Sequence, residues 1–134
     1  MIDQQAALVY TMVLASAADS DMTDPELEMI DGLVRNLPVF EGYNAAELPN
    51  TANACVDLLS GTDGLDMVLD AIRDGLPERL RETAYALACD IVAADREASQ
   101  EELRFLEMLR HRLDVERLVA AAIERGAGAR FAKA

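Results

Sequence analysis

Apolar positions recur along this chain at helical spacing, and no segment shows the strict apolar–polar alternation of a half-buried strand. The first pattern runs from about Asp3 to Ala18. Its Ala6–Ala18 stretch is apolar nearly all round, which predicts a core helix. Thr23 opens a second helix, in which Leu27, Ile30, Val34 and Leu37 form one stripe. Pro38 ends it, because proline disfavours the helical region for the residue before it.

A connector follows, and then a third helix reaching about Ser60. Asn44 and Glu47 form a candidate capping pair for it, and Pro49 implies a kink or a start nearer Thr51. The turn cluster Gly61-Thr62-Asp63-Gly64 leads into a short fourth helix marked by Leu65, Val68, Leu69, Ile72 and Leu76. A fifth helix is expected from about Pro77 to Ala94, and a sixth from Ser99 to about Arg112. A seventh, capped by Asp114, is expected to stop at Gly126. The expectation is an all-α compact bundle of about seven helices, a single domain over residues 1–126 with a flexible tail at 127–134.

Two segments of the pattern repeat, 76 residues apart. Ala17-Ala18-Asp19-Ser20-Asp21-Met22-Thr23-Asp24-Pro25-Glu26-Leu27 matches Ala93-Ala94-Asp95-Arg96-Glu97-Ala98-Ser99-Gln100-Glu101-Glu102-Leu103. The copies extend over about residues 3–37 and 79–113, which divides the domain into two pseudo-symmetric halves. Each copy is an apolar helix, an acidic loop, a capping box and a second helix. Thr23 and Ser99 can accept from a backbone N–H three residues on, while Glu26 and Glu102 reach back to the cap's own N–H. That role accounts for these four side chains, so Glu26 and Glu102 are second-rank candidates for any other chemistry.

Asp19, Asp21, Asp95 and Glu97 are less fully explained. They follow a helix C-terminus, where the dipole disfavours negative charge. Their i, i+2 spacing is that of the first ligands of an EF-hand loop. The remainder of that loop is missing: Asp24 or Gln100 stands where the turn needs Gly, and Ile30 or Leu106 where it needs Glu. A looser all-oxygen site for a divalent cation such as Ca²⁺ or Mg²⁺ stays open, beside the plainer reading of solvated turns. Asp90 joins the candidate metal ligands because it replaces Leu14 across the repeat and lies five residues before Asp95; a salt-bridged surface carboxylate is the alternative. Asp3 is a weaker member of the set.

Charge sharpens this picture. The 134 residues carry 25 acids and 12 bases, for a net charge of -13. Residues 1–67 hold 12 of the acids and a single base, Arg35, so they supply -11 of that total. Such a surface excludes nucleic acid as an obvious partner, since phosphate binding needs a basic face. It suits a bound cation or a basic protein partner, either of which relieves self-repulsion.

No apolar run reaches the roughly 20 residues needed to span a bilayer, so no direct membrane insertion is expected. Ala15-Ser16-Ala17 resembles a signal-peptidase site, but Asp3 and the lack of Lys or Arg ahead of it argue against a leader. The expected compartment is the cytoplasm, with Cys55 and Cys89 as buried thiols. His111, the only His, lies between Arg110 and Arg112 and reads as a surface residue. There is no nucleophile constellation, phosphate loop or zinc cluster, so the chain is expected not to be an enzyme. Met12, Met22, Met29, Met67 and Met108 read as core, and a homodimer is compatible with the pattern.

The two Ala-Ala-Asp-x-(Asp/Glu)-x-(Thr/Ser)-x-x-Glu segments, 17–26 and 93–102, resemble the TerB-like tellurite-resistance family. The N-terminal domain of membrane-anchored DnaJ-like co-chaperones is similar. The resemblance covers about residues 5–124. It implies a bundle of roughly seven helices with pseudo-twofold halves, and acidic clusters suspected of binding a divalent metal. It also implies a non-catalytic scaffold role in bacterial stress or tellurite response, in the cytoplasm near the membrane. By match to the motif, Asp19, Asp21, Asp95 and Glu97 carry over first, then Glu26 and Glu102. Many members place Gly after the first Asp of each loop; this chain has Ser20 and Arg96. Two functions compete: a stress-associated metal-binding scaffold, and an acidic protein–protein interaction module without metal whose partner is basic or membrane-associated.

Overall fold

The computed structural model describes residues 1–16, 24–94 and 98–134. Among these residues the elements are α1 (Gln4–Ser16), α2 (Asp24–Asn36), α3 (Leu48–Leu59), α4 (Gly64–Gly75), α5 (Arg81–Ala94), α6 (Gln100–Arg112) and α7 (Arg117–Arg130), with short 3₁₀ turns before α3 and α5 and after α2, and no strand. The fold is an all-α compact bundle.

The chain's most uniformly apolar segment takes the centre. α1 is buried at every position from Ala7 to Ser16, so it has no solvent face. It packs against α3, α4 and, most extensively, α5. Thr11 is tolerated at full burial because its hydroxyl donates back to the Ala7 carbonyl at 2.8 Å. Asp3 starts the helix: its Oδ1 accepts from the Ala6 N–H at 2.8 Å, which gives this acid a capping role. α5 is the second core helix and buries Ala84, Tyr85, Leu87, Ala88, Cys89, Ile91 and Val92. It is shared by α1, α6 and α7. The outer helices are amphipathic. α2 buries Ile30 and Val34 while Leu27 stays 39% exposed, and α6 buries Phe105, Leu106 and Leu109.

The bounds of α2 and α6 are displaced by the same 76 residues that relate the two sequence copies. At α6 the expected capping box is complete. The Ser99 Oγ accepts from the Glu102 N–H at 3.1 Å, and the Ser99 N–H donates to Glu102 Oε1 at 2.9 Å. Thr23 lies outside the described residues.

Several sequence expectations are corrected. α3 begins at Leu48 with Pro49 inside its first turn, where a missing N–H costs nothing, so the proline causes neither a kink nor a late start. Asn44 caps the preceding 3₁₀ turn through Ala46 N–H at 3.0 Å. α5 begins at Arg81, after a 3₁₀ turn over Glu78–Leu80. Asp114 does not cap α7. Its φ of 54° is left-handed, whereas a cap residue is extended, and its carboxylate reaches Arg73 at 2.9 Å. Glu116 is the cap, accepting from Val119 N–H at 3.2 Å. Nor does Gly126 stop α7. The helix runs on to Arg130, with Ala127 buried against the bundle. Among the methionines, Met12 is buried, Met29 and Met108 are half-buried, and Met67 is 50% exposed; Met22 lies outside the described residues.

No helix among the described residues is long and apolar enough to cross a membrane.

Candidate functional site

The helix ends that lead into the acidic segments lie at one end of the bundle. α6 runs back alongside α5 after a short connection. Its first turns have α1 on one side, where Glu101 and Phe105 share a groove with Leu14. They have α5 on the other, where Ala98 and Leu103 share a groove with Val92 and Ala93. The C-terminal ends of α1 and α5 therefore both reach the start of α6. Ser16, the last residue of α1, is 4% exposed, and its Oγ has no hydrogen-bond partner among the described residues. An orphaned buried hydroxyl is costly.

The first-rank candidates Asp19, Asp21, Asp95 and Glu97 lie outside the described residues. Among the described residues no three His, Cys, Asp or Glu side chains gather as a metal-binding group. Glu26 stands half-buried in the first turn of α2, where the helix dipole favours it. Glu102 is 3% exposed and bonded into the Ser99 cap. The Asp90 carboxylate, 18% exposed, forms an ion pair with Arg130 across the α5–α7 interface. This is the salt-bridged alternative for Asp90; its partner was not foreseen because Arg130 lies in the segment expected to be a loose tail.

The charge imbalance of the first 67 residues is met partly from the second half. Arg35 is taken by its own helix neighbour, Asp31, at 2.8 Å. Arg112, near the far end of α6, reaches Asp66 at 3.1 Å and Asp70 at 2.6 Å on α4. The Arg73 guanidinium bonds Asp114 and the Arg112 carbonyl, which locks α4 onto the α6–α7 turn. These carboxylates are mostly exposed, so each pair adds under about 1 kcal/mol.

Both thiols are buried and unbridged. Burial pushes Cys55 and Cys89 up to about 12, so neither is a reactive thiolate near neutral pH. His111 is exposed, as expected, with Nε2 3.2 Å from the Arg110 guanidinium.

One cavity escaped the sequence reading. A groove of about 510 Å³ lies between α5, α6 and α7. Tyr85 and Cys89 form its floor, one helical turn apart on α5. Glu107 and Arg110 on α6 and Glu124 on α7 bring charge to it. The Tyr85 hydroxyl donates to Glu124 Oε2 at 2.5 Å. Burial raises the Tyr85 hydroxyl's pKa, and the neighbouring carboxylate raises it further. The helix stop expected at Gly126 left out Ala127 and Gly128, which line this groove.

A family model described as "Tellurite resistance protein TerB" matches residues 5–124. Comparison with curated proteins gives no match. Comparison with solved structures gives none either.

Proposed function

Because the chain belongs to the TerB tellurite-resistance family, we propose that it is a non-catalytic, stress-associated domain that binds a divalent cation through its acidic inter-helix segments and serves as a scaffold. The observation that carries this reading is the placement of the two helix ends. The C-terminal ends of α1 and α5 both lie beside the first turns of α6, and in the sequence these ends directly precede Asp19 and Asp21 in one copy and Asp95 and Glu97 in the other. The donor set is all oxygen, which suits a hard ion such as Ca²⁺ or Mg²⁺. The Ser16 hydroxyl at the end of α1, which has no hydrogen-bond partner among the described residues, fits a polar occupant there. The cation would relieve repulsion in a half of the chain that carries one base, itself already paired. The family and the composition together favour a cytoplasmic setting.

The test is calcium and magnesium titration of the purified chain, followed by thermal unfolding, against an Asp19→Ala/Asp95→Ala double variant. At a free cation concentration 100 times its Kd, linkage adds about 2.7 kcal/mol of stability. EDTA should reverse that gain, and the double variant should lack it. A midpoint that ignores millimolar metal sinks the cation reading.

A second reading is an acidic interaction module without metal. It is favoured by the exposed carboxylates of α3, α4 and the turn between them, such as Asp57, Asp63 and Asp74, which have no ion-pair partner among the described residues. Partner capture by that surface should fall as salt rises. Capture that is indifferent to salt argues against it.

A further inference from the structure

We propose that the groove between α5, α6 and α7 binds a small amphipathic amine, an apolar chain carrying one protonated amino head. Its volume of about 510 Å³ falls within the ordinary range for small-molecule pockets.

Among the described residues, the groove's lining is polar at one end and apolar at the other. Tyr85 meets Glu124 and Asp90 meets Arg130, so the numbering of α5 and α7 rises together and the two helices run parallel. α6 starts beside the end of α5 and runs back. Glu107, Arg110, Tyr85 and Glu124 therefore gather at one end. Val92, Ala93, Leu103 and Gly128 lie toward the other. An elongated molecule with a polar head and an apolar body matches that order.

The head is cationic for three reasons. The polar end holds two carboxylates against one guanidinium. The Arg110 guanidinium is already engaged by the Val115 carbonyl and His111, whereas neither Glu107 nor Glu124 has an ion-pair partner among the described residues. The field of a chain with net charge -13 attracts cations and repels anions. The Tyr85 hydroxyl fixes the Glu124 carboxylate in place, which lowers the cost of ordering it on binding.

A second observation concerns Gly128. It lies inside α7, away from the left-handed region, and a Cβ there would meet nothing within 4 Å. Neither backbone nor sterics calls for glycine, which weakens a helix relative to alanine. It is among the residues that line the groove, so the lining there is bare backbone with open space in front of it.

The experiment titrates the ¹⁵N-labelled full chain with octylamine, and separately with octanoate, each below its micelle concentration. Octylamine should give saturable amide shifts confined to α5, α6 and α7, with octanoate at least about tenfold weaker. Gly128→Leu fills the groove with a good helix former and should abolish the shifts while the thermal midpoint holds or rises. Glu124→Gln should weaken octylamine about tenfold and narrow its advantage over octanoate. The proposal is overturned by unsaturable shifts spread over the whole surface, by octanoate binding as well as octylamine, or by octylamine binding Gly128→Leu as it binds the parent chain. It is equally overturned if the same amides shift with protein concentration alone and Gly128→Leu removes that effect, because the groove is then a self-association surface.

Discussion

The hydroxyl of Tyr85 donates a 2.5 Å hydrogen bond to the carboxylate of Glu124, joining two helices across 39 positions of sequence. It is one of two polar ties on the α5–α7 face; the other is Asp90 with Arg130. On α7 itself Ala120 and Ala127 are buried, and Val119 and Ile123 are half-buried against the core. Tyr85→Phe keeps the ring and removes the donor. The expected cost is about 1 kcal/mol, at the low end for a hydrogen bond to a charged group, because Glu124 is exposed enough for water to replace the hydroxyl. Urea unfolding followed by circular dichroism measures it, and an unchanged midpoint would count against the tie.

Alkaline pH should unfold the protein earlier than its carboxylates alone would suggest. Cys55 and Cys89 ionise near 9.0 when unfolded but only at about 12 in the fold, because burial penalises the thiolate. A folded-state value above the unfolded one means that the contribution is fully present below about pH 9 and is lost as pH rises through about 12. Tyr85, also raised from 10.0, acts in the same direction at higher pH. Each unit of difference corresponds to about 1.4 kcal/mol per group. Urea midpoints taken from pH 7 to 10.5 should fall above pH 9, and a Cys55→Ala/Cys89→Ala variant should fall less steeply. A parallel slope in the variant refutes the assignment.

Two glycines should respond in opposite directions to the same substitution. Gly128→Ala should raise stability by about 0.5–1 kcal/mol, since the added Cβ meets nothing within 4 Å. Gly64→Ala places a Cβ 1.8 Å from the Leu59 carbonyl oxygen and should cost more than about 2 kcal/mol. Thermal melts of the pair decide the matter; similar effects would mean that the α3–α4 turn is not as tight as described.

Ser99→Ala should cost about 1 kcal/mol by removing the hydroxyl that accepts from the Glu102 N–H. Ser99→Asp restores an acceptor and should recover most of the loss. If the two variants melt alike, the cap contributes nothing and α6 is held by packing alone.

What the sequence made legible follows how local each signal is. The starts of α2 and α6 were readable because a capping box is written in four consecutive residues. The centrality of α1 was readable from an apolar run without a polar face. Asp114 misled because residue type suggests a cap, whereas the left-handed turn that disqualifies it depends on Leu113 and Val115 both being buried. Gly126 misled because a helix end was inferred from propensity, and docking on α5 overrides propensity. The acidic segments were visible as a repeat, but their four first-rank carboxylates lie outside the described residues. The groove was invisible for a geometric reason: its walls come from three helices, and no one-dimensional period relates Tyr85 to Glu124.

The near-exclusive seating of α7 on α5 has a consequence for how the molecule opens. A helix seated on one neighbour by two small buried side chains, the half-buried Val119 and Ile123 and two polar ties can detach while the α1-centred core stays intact. It then forms a cooperative unit of its own, with an opening free energy below that of global unfolding. Amide protons of α7 should exchange with solvent well before those of α1, and the free energy read from the α7 set is that of its detachment from the bundle.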